Sequence, residues 1–337
     1  MDARVLLDAP AEAGSRDARR IRDAGRDVAR EAAHDAREDA PAENDASDAA
    51  PVPDAGMTKY DQNGGVTYAT TQISVTAGSD TFTENVYIPS TPGPHPLVSF
   101  SPGLQQPAAA YTPYVERLAS WGFVVLIRDD PGVLVTTTTV ADDLTYVIAT
   151  WLGAQNATSS SPLFGKVDLT KVGLAGHSRG GQGTLLAIEG GLAGKVVAWF
   201  GVDPVDASAL PGQPTAGPTV GMIRIPTGFV GAQVSTQCSP ADANYEILYS
   251  EVPSPSVAVT AVDASHTQFE DPASCVACGL CTPMGTANSA VVLGYSVRFL
   301  TAFFARELMG DASVGAAFQG AGGPGDIAAG LVTILSK

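Results

Sequence analysis

The chain has 337 residues, 45% of them hydrophobic and 16% charged, with a formal net charge of −16 at pH 7. That content is ample for one large α/β domain plus a tail. Strong acidity without a basic patch argues against a nucleic-acid partner, because phosphates need cations opposite them. No apolar run approaches the roughly 18 residues of a membrane span.

Residues 1–56 differ from everything after them, being built from Asp-Ala and Ala-Arg steps with dense charge and no aromatic side chain. Such a segment buries too little apolar surface to offset its ordering entropy, and it is expected to be a disordered tether, with residues 19–38 favouring helix. The start MDARVLLDAP lacks the apolar core of a secretion signal. A signal upstream of it, and a tether to a surface, would suit a secreted, periplasmic or surface-anchored catalytic domain over residues 57–337.

From Met57 the pattern changes. Residues 66–76 and 82–88 read as two strands joined by a turn at 77–80. Residues 96–101 form an apolar strand ending in Pro102-Gly103. A helix over 111–121 stops at Gly122, and 123–128 is another apolar strand, ending at Asp129-Asp130. A helix over 141–152 precedes a strand over 171–175, and a further helix opens near Gln182. Strands over 196–202, 223–230 and 257–262 follow, then a long helix over 288–308. Continuous apolar strands alternating with helices signal an α/β fold: a mostly parallel sheet with helices on both faces. In such sheets reactive groups collect at the carboxyl ends of the strands.

At one of those ends stands Gly176-His177-Ser178-Arg179-Gly180-Gly181. G-x-S-x-G on a strand-to-helix turn lifts the serine hydroxyl clear of the sheet, and the first helix amides face a developing oxyanion. Ser178 is therefore the candidate nucleophile. The base follows by elimination among four histidines. His34 lies in the leader, His95 at the amino end of a strand, and His177 beside the serine on too tight a turn. His266, in DASHTQFED after the 257–262 strand, remains. The acid has two possible strand ends. Asp203 follows the 196–202 strand directly, whereas no carboxylate follows the 223–230 strand until Asp242. Asp203 is preferred, Asp242 is the alternative, and Asp206 ranks third because it reads as a turn residue. The oxyanion donors are expected to be the amides of Arg179 and Leu104. Gln105 and His177 are the candidate substrate-binding residues, with a structural role also expected for His177.

The four cysteines, Cys238, Cys275, Cys278 and Cys281, fit either two disulfides in an exported protein or a site of four thiolates on a metal, and disulfides are preferred. No cofactor or catalytic metal is called for, and a monomer is expected. Fewer than 20 residues separate Asp206 from Ile223, too few for a helical lid, so the cleft should be open.

With these residues assembled, the chain resembles the chlorophyllase-like branch of the α/β-hydrolases over roughly residues 82–310, and more distantly the cutinase-like and polyester hydrolases. GHSRGG is similar to that family's nucleophile motif. FGVDPV at 200–205 looks like its acid-bearing turn, and CSPADANY at 238–245 like the segment before its histidine strand. Ser265-His266-Thr267 sits where its catalytic histidine does. HPLVSFSPG and YVERLASWGFVVLIRDD are shared more widely among esterases. CVACGLC at 275–281 departs from the pattern. The resemblance implies an α/β-hydrolase fold, a Ser178–His266–Asp203 triad, and hydrolysis of a carboxylic ester with a large hydrophobic or polymeric alcohol or acyl part. A non-catalytic binding protein on the same fold is the second reading, and a metal or redox protein centred on the cysteines is the third.

Overall fold

A computed structural model describes residues 58–207, 214–273, 281–318 and 325–337. The leader of residues 1–56, and with it the expected tether, lies outside the described residues, as do Cys275 and Cys278.

Nine strands form one sheet: β1 (Tyr68–Ala77), β2 (Asp80–Pro89), β3 (His95–Ser101), β4 (Val124–Ile127), β5 (Val167–Ser178), β6 (Val196–Pro204), β7 (Thr227–Val234), β8 (Ser256–Ser265) and β9 (Val332–Ser336). Their spatial order is β1-β2-β4-β3-β5-β6-β7-β8-β9. β3 to β8 run parallel, β1 and β2 form an antiparallel hairpin leading in, and β9 closes the far edge antiparallel to β8. The connecting helices are α1 (Thr112–Ser120), α2 (Thr137–Tyr146), α3 (Leu152–Ala157), α4 (Arg179–Ala187), α5 (Gly217–Val220), α6 (Tyr245–Glu251) and α7 (Ser289–Met309). This is the α/β-hydrolase fold, a mostly parallel sheet with helices on both faces.

Both faces are apolar because successive side chains of a strand point to opposite sides. In β4, Val125 and Ile127 join Tyr114, Leu118 and Phe303 on one face, while Val124 and Leu126 join Leu185 and Trp199 on the other. α7 is apolar along most of its length because it is buried on most sides, with every residue from Tyr295 to Ala305 out of solvent. It starts at Asn288, whose side chain accepts the amides of Ala290 and Val291, and ends at Gly310 in the left-handed conformation, φ 77°.

Several boundaries differ from the sequence expectation. β7 begins at Thr227 and not at residue 223, since Pro226 has no amide to give a ladder. β5 reaches back to Val167 through polar residues, where His95 of β3 supplies a partner. The expected 141–152 helix starts earlier, at Thr137, where the Thr136 hydroxyl accepts the Thr139 amide as an N-cap. α6 and β9 were not expected. α6 is short, and β9 is set only by pairing with β8, a long-range term that local pattern does not carry.

A buried carboxyl makes the sheet pH-sensitive. Glu84 of β2 is 4% exposed, and burial raises its pKa from 4.5 to about 7, partly offset by Arg128 and reinforced by Asp143. The folded state therefore binds this proton more tightly than the unfolded chain. The stability it contributes is complete below about pH 4.5 and is lost as pH rises through 7. The full loss is roughly 3 kcal/mol. Urea unfolding is expected to show Glu84→Gln matching the parent at about pH 4 and exceeding its stability at about pH 8. Equal stabilities at pH 8 would refute this coupling.

Candidate active site

The carboxyl ends of β3, β5, β6 and β8 converge on one cleft. At the end of β5 the chain turns directly into α4, and Ser178 at the junction has φ 54° and ψ −125°. A residue with a side chain is strained there, by about 1–3 kcal/mol, and holds the position only because both flanking elements fix it. Asp203, next to last in β6, has φ 37°, again a left-handed value on a residue with a side chain. His266 opens the short helical turn that follows β8. The cap of that turn is reciprocal: the Ser265 hydroxyl and the Gln268 side chain each bond the other's backbone end.

These three side chains are brought together. The Ser178 hydroxyl lies 2.9 Å from His266 Nε2, and His266 Nδ1 lies 2.6 Å from Asp203 Oδ2. The hydrogen-bond pattern puts the imidazole proton on Nδ1, where it donates to the carboxylate, and leaves Nε2 to accept from the serine. Asp203 is fully buried, and its second oxygen, Oδ1, accepts the Ala232 amide of β7 at 2.9 Å. So the strand end that carries no carboxylate still contributes, by orienting the Asp203 side chain on the neighbouring strand. Asp242 is exposed, and the hydrogen bonds of the His266 ring go to Asp203 and Ser178 instead. Asp206 ties a loop, accepting the amides of Ala216 and Gly217 at 2.7 Å each.

Beside Ser178 the loop after β3 leaves one backbone donor open. The Gly103 amide donates to the Tyr111 hydroxyl at 2.9 Å, the Gln105 amide to Asp130 Oδ1 at 2.8 Å, and the Gln106 amide to the Gly103 carbonyl at 3.0 Å. Among the described residues the Leu104 amide between them has no acceptor. Across the cleft the Ser178 side chain does not cap α4. The helix N-terminus, beginning with Arg179, is thus open to an anion.

His177 is 1% exposed, and both of its ring nitrogens are engaged within the protein. Nε2 donates to the His266 carbonyl at 3.2 Å, and Nδ1 lies 2.8 Å from the Tyr111 hydroxyl and 3.3 Å from Glu270 Oε1. Its ring stacks on His266 with centroids 4.6 Å apart. Hydrogen bonding to a substrate is closed to it, although it forms part of the cleft floor. Burial, then the Glu270 carboxylate, holds the Tyr111 hydroxyl far above the ordinary phenol range, so it remains protonated. Gln105, exposed with φ 61°, lines the cleft.

The cleft measures about 370 Å³, with Leu104, Val205, Pro240 and Thr267 among its walls. Cys238 and Cys281, which also line it, form a disulfide. Both sulfurs are thereby withdrawn from the alternative of four thiolates on a metal. Among the described residues no cluster of three or more His, Cys, Asp or Glu is gathered for a metal ion, and no helix is long and apolar enough to cross a membrane.

Sequence reasoning missed Tyr111, Asp130 and Glu270. Asp130 had a legible signal, a carboxylate just beyond a strand on the carboxyl edge of the sheet. Tyr111 and Glu270 had none, since both meet the site through long-range packing.

A search of curated proteins returns no match. A family model described as Chlorophyllase matches residues 57–312, which include every group placed around the cleft. Three-quarters of the chain is covered by that match, and the sheet order and strand-end chemistry are those of the same fold; the chain belongs to the chlorophyllase family and is an α/β-hydrolase-type hydrolase.

Proposed function

We propose that the chain is a serine carboxylic-ester hydrolase working through an acyl-enzyme, with Ser178 as nucleophile, His266 as base and Asp203 as acid. The observation that carries this reading is the unbroken hydrogen-bond chain from the Ser178 hydroxyl through His266 to Asp203, at 2.9 and 2.6 Å. As Ser178 Oγ bonds to the ester carbonyl carbon, its proton passes to His266 Nε2. Asp203 stabilises the imidazolium. The open amides of Leu104 and Arg179 receive the oxyanion of the tetrahedral adduct. Collapse breaks the bond to the alkoxy group, which leaves as an alcohol with the proton from His266. Water then gives a proton to His266 and its oxygen to the acyl carbon. The second collapse releases the carboxylic acid and returns the proton to Ser178.

The substrate in this proposal is an ester with a bulky hydrophobic or polymeric part. The walls formed by Leu104, Val205 and Pro240 are apolar, and the Cys238–Cys281 bridge fixes one side of the cleft. A chlorophyllase-type or a polyester-type substrate fits the same walls. The disulfide suits an oxidising compartment, so export from the cytoplasm is part of the proposal. A binding protein on this fold has no need for a complete hydrogen-bonded Ser–His–Asp set. The test is labelling by an alkyl fluorophosphonate followed by peptide mass spectrometry. One equivalent on Ser178, with simultaneous loss of p-nitrophenyl butyrate hydrolysis, is expected. An unlabelled, folded chain would refute the reading.

A further inference from the structure

We propose that Asp130 is a positioning residue for the oxyanion site, acting with the Arg179 side chain as a clamp between its two donor amides. This rests on the serine-hydrolase reading above. Asp130 follows β4, a strand that supplies none of the three reacting groups. Its Oδ1 accepts the amides of Gln105 at 2.8 Å and Gly132 at 2.9 Å. Its Oδ2 accepts from Arg179 Nε at 3.1 Å and from Nη2. The guanidinium spends its remaining fork on the carbonyl of Val135 at 2.7 Å and that of Gly132 at 3.4 Å. Both partners are nearly dry, with side-chain exposures of 3% and 10%.

One carboxylate thus grips the loop that carries the Leu104 amide and also the residue whose own amide is the other donor. The grip has a local purpose. Gln105 is left-handed at φ 61°, a conformation unfavourable for a residue with a side chain. The hydrogen bond from its backbone N–H to Asp130 Oδ1 holds it there, and that twist leaves the adjoining Leu104 amide without an internal acceptor. Backbone donors carry no side chain through which their aim is set, so their geometry depends on neighbours of this kind. A bidentate guanidinium fixes distance and angle together, which a lysine ammonium does not.

The experiment compares parent, Asp130→Ala and Arg179→Lys on p-nitrophenyl butyrate, with inhibition by butylboronic acid, whose serine adduct places an oxyanion in the same site. For Asp130→Ala, kcat is expected to fall about 100-fold with KM changed less than about threefold, and Ki for the boronic acid is expected to rise by a factor similar to the fall in kcat. Arg179→Lys keeps the charge and stays close in bulk, so it tests the idea even if the alanine variant folds poorly; a kcat loss of about tenfold at constant KM is expected. A fold-only role would lower the unfolding temperature without this matched change in kcat and Ki. Parent-like kcat and Ki in either folded variant overturn the clamp, as does a rise in KM at constant kcat. If the parent itself takes no fluorophosphonate, the hydrolase reading fails, and the clamp with it, before any variant is compared.

Discussion

Ser178→Ala is expected to lower kcat for p-nitrophenyl butyrate by about 10⁶-fold and Asp203→Asn by about 10⁴-fold, while Asp242→Asn keeps the parent rate. The serine loss is largest because the acyl-enzyme can no longer form, and what remains is the contribution of binding and the oxyanion amides alone. Asparagine at 203 keeps the shape and keeps one acceptor for the Ala232 amide. It presents no carboxylate to His266 Nδ1, so the imidazole loses both its tautomer and the charge that stabilises its protonated form. The distances make this comparison sharp: Asp203 Oδ2 is 2.6 Å from Nδ1, and Asp242 is an exposed loop residue. Steady-state kinetics on folded variants, with fluorophosphonate labelling of both aspartate variants, decides the matter. A large loss in Asp242→Asn with an active Asp203→Asn would reassign the acid.

That a carboxylate within reach of His266 could be expected on β6 from sequence alone has a physical reason. A parallel sheet delivers its strand ends to one edge, so the search for a partner to Ser178 reduced to a few positions. Scarcity of histidine then left His266. What local pattern could not supply was the second set of contacts: the Ala232 amide on Asp203, the Tyr111 hydroxyl on Gly103, the Asp130 carboxylate on Gln105 and Arg179. Each joins residues more than 20 positions apart, except Tyr111 and Gly103, whose meeting depends on where α1 packs. The fold was legible for a similar reason and to a similar depth. Buried parallel strands announce themselves as apolar runs, while β9 and the polar start of β5 exist only because a neighbour offers a ladder. Cys281 could be paired with Cys238 only once the loop after β7 and the segment beyond residue 280 were seen side by side.

Gly180→Ala is expected to cost about 10²–10³ in kcat and roughly 1–3 kcal/mol or more in stability, although it adds a single methyl group. The Cβ would stand 2.0 Å from the Ser101 carbonyl oxygen and 2.4 Å from that of Pro102. Both are backbone atoms, so no side-chain rotation relieves the overlap, and α4 must move away from the end of β3. That motion separates the very parts that carry the two open amides, since Arg179 leads α4 and Leu104 follows the Ser101-Pro102 exit. On the other side of the same turn a Cβ on Gly176 would meet the Gly180 carbonyl carbon at 2.4 Å. The two glycines of the motif therefore face each other through the elbow, and neither has room for a side chain. Gly190, later along the same chain segment, has nothing within 4 Å of its would-be Cβ. Gly190→Ala serves as the matched control and should keep the parent kcat. Urea unfolding and steady-state kinetics on the pair separate a local helix-propensity effect from displacement of the elbow. If Gly180→Ala retained parent-like kcat, the closeness of α4 to the β3 exit would have no part in aligning the Leu104 and Arg179 amides, and the glycines would be required for packing alone.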